Sequence, residues 1–125
     1  MRTLARTTLI AVAMATPAAA DFKSSLGRLD PQTRLEQVCD LEVMKRLRQT
    51  GRFAPDRAKS YVASEPAMTG HTLVAKGAAF RSGGTWYALS FHCKGSADHM
   101  SVLSLSYQVG KPIPASKWSE YGLWK

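Results

Sequence analysis

Arg81, Trp86, Ser90 and His92 are the residues whose types and spacing best suit contact with a ligand. Side chains alternate along an extended chain, so Trp86, Ala88, Ser90 and His92 share one face. Gly83-Gly84, set between Phe80-Arg81-Ser82 and Thr85-Trp86-Tyr87, predicts a two-residue hairpin turn. That turn places Ser82 opposite Thr85, Arg81 opposite Trp86 and Phe80 opposite Tyr87. Ala79, Ala88, Ser90, Ser104 and Ser106 then make a low floor, with Arg81, Trp86 and His92 at its edge. Arg81 over Trp86 is a cation–π pair, and a tryptophan beside small residues suits a sugar or a peptide. Small residues also admit a covering segment at close range, and Trp118, Tyr121, Leu123 and Trp124 are available to supply one.

A second constellation is Asp98-His99 with His92 and His71. A carboxylate beside an imidazole can serve acid–base chemistry or hold a metal. Neighbours on a strand face opposite ways, so Asp98 and His99 cooperate only if they lie in a turn, where Asp98 is expected to bind turn amides. No nucleophile, base and orienter can be assembled around them. H-E-x-x-H, Walker A and a nucleophile elbow are absent from the sequence, and neither metal nor cofactor is expected. Arg34, Glu36 and Arg57 could form an ion-pair lattice of about 0–1 kcal/mol per pair, which is architecture at most.

Export follows from the first twenty residues. Arg2 and Arg6 precede the apolar run Leu9-Ile10-Ala11-Val12-Ala13-Met14-Ala15, and Ala18-Ala19-Ala20 offers a cleavage site before Asp21. This is a signal peptide, since the run is far below the roughly 20 residues that span a bilayer. The protein is therefore expected in the periplasm or secreted, with no later spanning segment. Cys39 and Cys93 are the only cysteines, and an oxidising compartment favours joining them. A zinc or redox reading is weaker, because no C-x-x-C occurs. The formal charge of +8 favours anionic envelope polymers, lipid head groups or acidic proteins as partners. The basic residues are scattered and carry no nucleic-acid motif, so no nucleic-acid site is expected.

These residues need a scaffold, and the expectation is a single α+β domain over 29–125 behind a loose leader at 21–28. Asp30-Pro31 caps and starts a helix to Gln49, before Gly51. Its apolar residues Leu35, Val38, Cys39, Leu41, Val43, Met44 and Leu47 spread around the cylinder, which predicts a helix gripped on more than one side. Pro55-Asp56 predicts a second helix running to Ala63, stopped by Glu65-Pro66. The two helices pack on an antiparallel sheet of three or four strands, including one at His71–Ala75 and others across Gly77–Val109. Ala78, Phe80, Tyr87, Leu89, Phe91, Cys93, Leu103, Leu105, Tyr107 and Val109 form its core face. A short helical tail over Ser116–Tyr121 ends at Gly122.

The chain resembles the bacterial domain of unknown function family 930. The likeness rests on Leu29-Asp30-Pro31-x-Thr33-Arg34-x-Glu36-Gln37-x-Cys39, Phe53-x-Pro55-Asp56-Arg57, Gly77-Ala78-Ala79-Phe80-Arg81, Trp86-Tyr87-x-Leu89-Ser90-x-x-Cys93, Asp98-His99 and Ile113-Pro114-x-x-x-Trp118. It implies a small exported domain with Cys39 and Cys93 paired, and carries over no catalytic residue. The leading expectation is a non-catalytic periplasmic binding or adaptor module that contacts an envelope protein or an anionic envelope polymer. The alternatives are a small hydrolase or metal-dependent enzyme using His92, Asp98 and His99, and a structural stabiliser of a larger envelope complex.

Overall fold

A computed structural model describes residues 9–13 and 17–125, with side chains from Asp21 onward in the second range. The expected signal peptide lies for the most part outside the described residues; within it, Leu9, Ile10 and Val12 stand exposed. Helix α1 spans Pro17–Gly27, so the segment expected as a loose leader is helical, and the expected cleavage point falls inside this helix. Leu26 is buried. Arg34 fixes the end of α1 by donating to the carbonyl oxygens of Leu26, Gly27 and Leu29 at 2.9, 3.2 and 2.9 Å. The Arg34 guanidinium is thus engaged with main-chain carbonyls and not with Glu36. Glu36 accepts from Gln32 instead, and Arg57 donates to the Asp56 carbonyl.

Helix α2 spans Pro31–Gln49 as its signals predict. Asp30 accepts from the Thr33 amide at 3.1 Å, satisfying one of the free donors of the first turn. Leu35, Cys39, Val43 and Leu47 recur every four residues and are buried against the sheet. Val38 and Asp40 flank this stripe and are also buried, while Leu41 is exposed. Helix α1 packs against α2 in addition to the sheet, so α2 is held on more than its sheet-facing side, as its scattered apolar residues predict.

The second expected helix is absent. Its residues form strand β1, Pro55–Lys59, paired antiparallel to β3, Thr72–Ser82, through Arg57↔Arg81, Ala58↔Phe80 and Lys59↔Ala79. Pro-Asp is a local start signal for a helix, but three residues of backbone pairing outweigh it, and Pro55 at the strand start gives up a donor that is cheap to lose there. A short strand β2, Ala67–Thr69, pairs with the other end of β3. Strands β4, Thr85–Gly95, and β5, Val102–Pro112, complete one five-stranded antiparallel sheet of order β1-β3-β4-β5, with β2 also on β3. The sheet is thus larger than the three or four strands expected. The segments expected as separate strands around Gly77 are one strand, bent by a register shift between Ala75 and Ala78. Gly77 stands at that bend: its carbonyl accepts from the amides of Val62 and Ala63, and a Cβ there would collide with the Ser64 backbone.

The hairpin at Gly83-Gly84 has the expected register, and both glycines lie at positive φ, 58° and 76°. Cys39 and Cys93 are joined and fully buried within the α2–sheet core, beside Phe80, Leu89 and Phe91. One core assignment fails. A register shift pairs Lys94 with Ser104 and Gly95 with Val102, leaving Leu103 unpaired and 64% exposed while Val102 packs inward.

Candidate functional site: a half-covered sheet face and a free strand edge

The sheet face opposite α2 is divided. At one end Trp86 is fully buried, in a cluster with Val62, Ala79 and Leu123 that Ile113, Trp118 and Tyr121 pack against. The indole Nε1 of Trp86 donates to the Trp124 carbonyl at 2.7 Å. A 3-10 turn at Ala115–Lys117 and the positive φ of Gly122 return the chain across the sheet to reach this position. Arg81 lies 5.7 Å from the Trp86 ring, as the register predicts, and equally close to Trp124. Two hydrogen bonds of 2.9 and 2.7 Å tie it to Asp56. These bonds hold the Asp56 carboxyl below the usual carboxylate range. Of the four residues singled out for binding, Arg81 and Trp86 therefore grip the tail, and only Ser90 and His92 belong to the uncovered half.

That half is read directly from the pairings. Thr72, Lys94 and Ser104 form one cross-strand row; Val74, His92 and Ser106 form the next; Ser90 and Gln108 form a third. Lys76, His92, Lys94, Ser104, Ser106 and Gln108 are exposed. The result is a polar, hydroxyl-bearing, cationic surface.

Strand β5 is the last in the sheet order, so its outer edge has no neighbour among the described residues. The direction of its backbone groups can be worked out. The Trp86 carbonyl accepts from the Ile113 amide, so residues of β4 in phase with Trp86 (Ser90, His92 and Lys94) direct their groups to β5. Their partners Gln108, Ser106 and Ser104 bond inward, and Leu105, Tyr107 and Val109 bond outward. Arg46 Nη1 donates to the Leu105 carbonyl at 3.4 Å, as that phase requires. The outward groups of Tyr107 and Val109 have no hydrogen-bond partner among the described residues. Beside them, on the α2 side, lies a 510 Å³ cleft lined by Leu47, Arg52, Phe53, Tyr87, Tyr107 and Val109 among others. Phe53 and Tyr87 meet edge to face there at 5.3 Å. Sequence reasoning placed Tyr87 and Tyr107 in the core. The available signal was Pro112 in the last position of β5, since a proline within a strand belongs at a sheet edge or a bulge.

Of the second constellation, only His71 and His99 are brought together by a side-chain contact. Asp98 lies in the loop after β4, where its Oδ1 accepts from Ser96 Oγ and the Met100 amide at 2.6 and 3.0 Å. The Ser96 bond, with the Met100 amide, depresses its pKa. His99 is buried and His92 stands on the open sheet face, with no hydrogen bond joining it to Asp98 or His99. His71, at the start of β3, is the imidazole that meets His99, at 2.9 Å. Among the described residues no three His, Cys, Asp or Glu side chains converge as a metal-binding group. Elsewhere, Asp40 is buried and accepts from Ser60 Oγ at 2.7 Å. Burial raises its pKa to about 7, the Ser60 bond countering only part of that rise.

The profile of the family described as Domain of Unknown Function (DUF930) matches residues 26–123. The chain belongs to that family. The match begins at the end of α1 and runs through the tail, so the DUF930 domain includes the helix, the sheet and the segment covering Trp86. No curated protein and no solved structure matches the chain.

Proposed function

We propose that this DUF930 domain is an exported, non-catalytic adaptor that takes an extended, acidic segment of an envelope protein along β5. The observation that supports this most directly is the eleven-residue edge strand with outward-facing groups at Tyr107 and Val109 beside an aromatic cleft. An added strand gains main-chain hydrogen bonds at such an edge, and alternate side chains enter pockets on the two faces. One set would meet Phe53, Tyr87 and Tyr107 in the cleft. The other would cross the open half at Ser90, His92 and Ser106, where Lys76 and Lys94 favour acidic side chains. Periplasmic location is part of the same proposal, supported by Arg2 and Arg6 ahead of an apolar run with exposed Leu9, Ile10 and Val12, and by the buried disulfide.

The test is photo-cross-linking in cells, with a benzophenone residue at Gln108 on β5 or at Glu120 in the tail. A single protein adduct from Gln108, absent from Glu120 and weakened by Lys94→Glu, is the expected result. Equal adducts from both positions would refute the edge as the site. Retention on glycan or lipid fractions with release by salt, and no protein adduct, would favour the anionic-polymer reading that the lysines also support.

A further inference from the structure

Phe53, Phe80 and Tyr87 form a ring cluster that ends at the cleft beside β5. Phe53 meets Phe80 and Tyr87 edge to face at 5.1 and 5.3 Å, and Phe80 stacks on Tyr87 at 5.2 Å. Phe80 is fully buried, whereas Phe53 and Tyr87 are half-buried and line the 510 Å³ cleft. That volume falls within the range of about 300–1,000 Å³ found for ligand sites. Arg52 lines the same cleft and is exposed, its guanidinium carbon 5.9 Å from the Phe53 ring centre. Arg34, Arg46, Arg48, Arg57 and Arg81 each donate to a protein oxygen. The Arg52 guanidinium has no such bond and no ion pair among the described residues; only its backbone amide donates, to Thr50 Oγ1. Nor does any acidic residue line the cleft among the described residues. The cleft thus offers ring surface and an unpaired positive charge, next to the outward main-chain groups of Tyr107 and Val109.

Resting on the reading of β5 as a docking edge, we propose that this cleft selects which segment docks. It takes one aromatic side chain onto Phe53 and Tyr87, with a carboxylate two residues away paired to Arg52. An incoming ring extends the edge-to-face cluster, which adds to the gain from burying its area. Residues two apart on an added strand point to the same side and stand about 6.6 Å apart. That step is close to the 5.9 Å between Arg52 and the Phe53 ring, so a ring and a carboxylate on one face reach both groups together. The guanidinium fork receives a carboxylate through two parallel hydrogen bonds. A lysine or arginine side chain entering the cleft is repelled by the same charge. The pattern recognised is therefore aromatic-x-acidic, in either order along the segment.

The test is fluorescence anisotropy of labelled, end-blocked peptides titrated with the purified protein at low salt, where an exposed ion pair is least screened. The probe is a short peptide of Thr and Val with Phe at its centre and Glu two residues to either side, so that both orders are present. One control replaces Phe by Ala, the other replaces both Glu by Gln. The Ala control is expected to bind at least about tenfold more weakly than the probe. The Gln control should bind about threefold to fivefold more weakly. Arg52→Gln, an exposed change checked for fold by circular dichroism, should bind the Glu and Gln peptides equally. Equal binding of all three peptides to the wild type, or a preference for Glu retained in Arg52→Gln, would overturn the selection and leave strand addition at β5 intact. Binding of none, with the Gln108 adduct still formed in cells, would also overturn the selection alone. Loss of both would overturn the edge reading with it.

Discussion

A single carboxyl group sets much of the pH response of this domain. Asp40 sits on the flank of α2, buried, with Ser60 Oγ–H as its hydrogen-bond donor and Glu36 one turn away as a like charge. Its folded pKa of about 7 lies above the ordinary 3.8, so between those values the folded state binds more protons than the unfolded chain. Stability therefore falls as pH rises through that window, by up to about 4 kcal/mol, and levels off above it. Asp30, Asp56 and Asp98 have lowered values, so their contributions are complete above the usual carboxylate range and are lost in acid below it. Asp40→Asn keeps an acceptor for Ser60 and removes the titration. Urea denaturation on either side of the window should show the wild type losing stability toward the alkaline side and the variant not. A slope in the variant equal to that of the wild type would assign the effect to other groups.

The tail and the β3–β4 hairpin act as one packed unit. Trp86 has no exposed surface, lies 5.4 Å from the Trp124 ring, and gives its indole proton to the Trp124 carbonyl. Lys59 adds a bond to the Gly122 carbonyl and approaches the Trp124 ring at 5.4 Å. Trp86→Ala should accordingly lower stability by about 3–5 kcal/mol. It should also free the tail to proteolysis, read by chemical denaturation and by mass analysis of cleavage sites after Trp118. A residue serving only an external ligand would leave both unchanged. The same reasoning makes β5 the element to probe for partners: both of its ends are shifted in register, at Tyr87/Leu89 and at Lys94/Gly95, while its middle stays regular and open. Bulges at the ends of an edge strand limit indiscriminate pairing and confine a partner to the central residues.

At the scale of the molecule, a short chain with a modest core is held by one cross-link between its principal helix and its central hairpin. Cys39 and Cys93 are separated by 54 residues. Loop-closure entropy then assigns the bond about 4 kcal/mol. Replacing both cysteines by alanine should remove an amount of that order in guanidinium denaturation, and added reductant should destabilise the wild type while leaving the double variant unchanged. Destabilisation of both by reductant would point to a cause other than this bond.

Local chemistry in the sequence was enough to define α2, the Gly83-Gly84 hairpin and the partnership of the two cysteines. A cap, a proline at the first helical position, a two-glycine turn and a shared side-chain phase each act over a few residues, and nothing distant opposed them. The second helix was misread because Pro55-Asp56 signals a helix only until Arg57–Lys59 finds its partners Ala79–Arg81 on β3, far along the chain. Leu103 was misplaced because a one-residue bulge reverses the phase of a strand without leaving a mark in its alternation. The candidate site was half legible: Ser90 and His92 follow from parity, but whether a tail or a ligand covers Trp86 depends on where Gly122 and Trp124 arrive. That outcome, like the meeting of His71 with His99 and the open edge of β5, belongs to tertiary structure. Each is a relation between segments distant in sequence, set by which surfaces pack best once the whole sheet has formed.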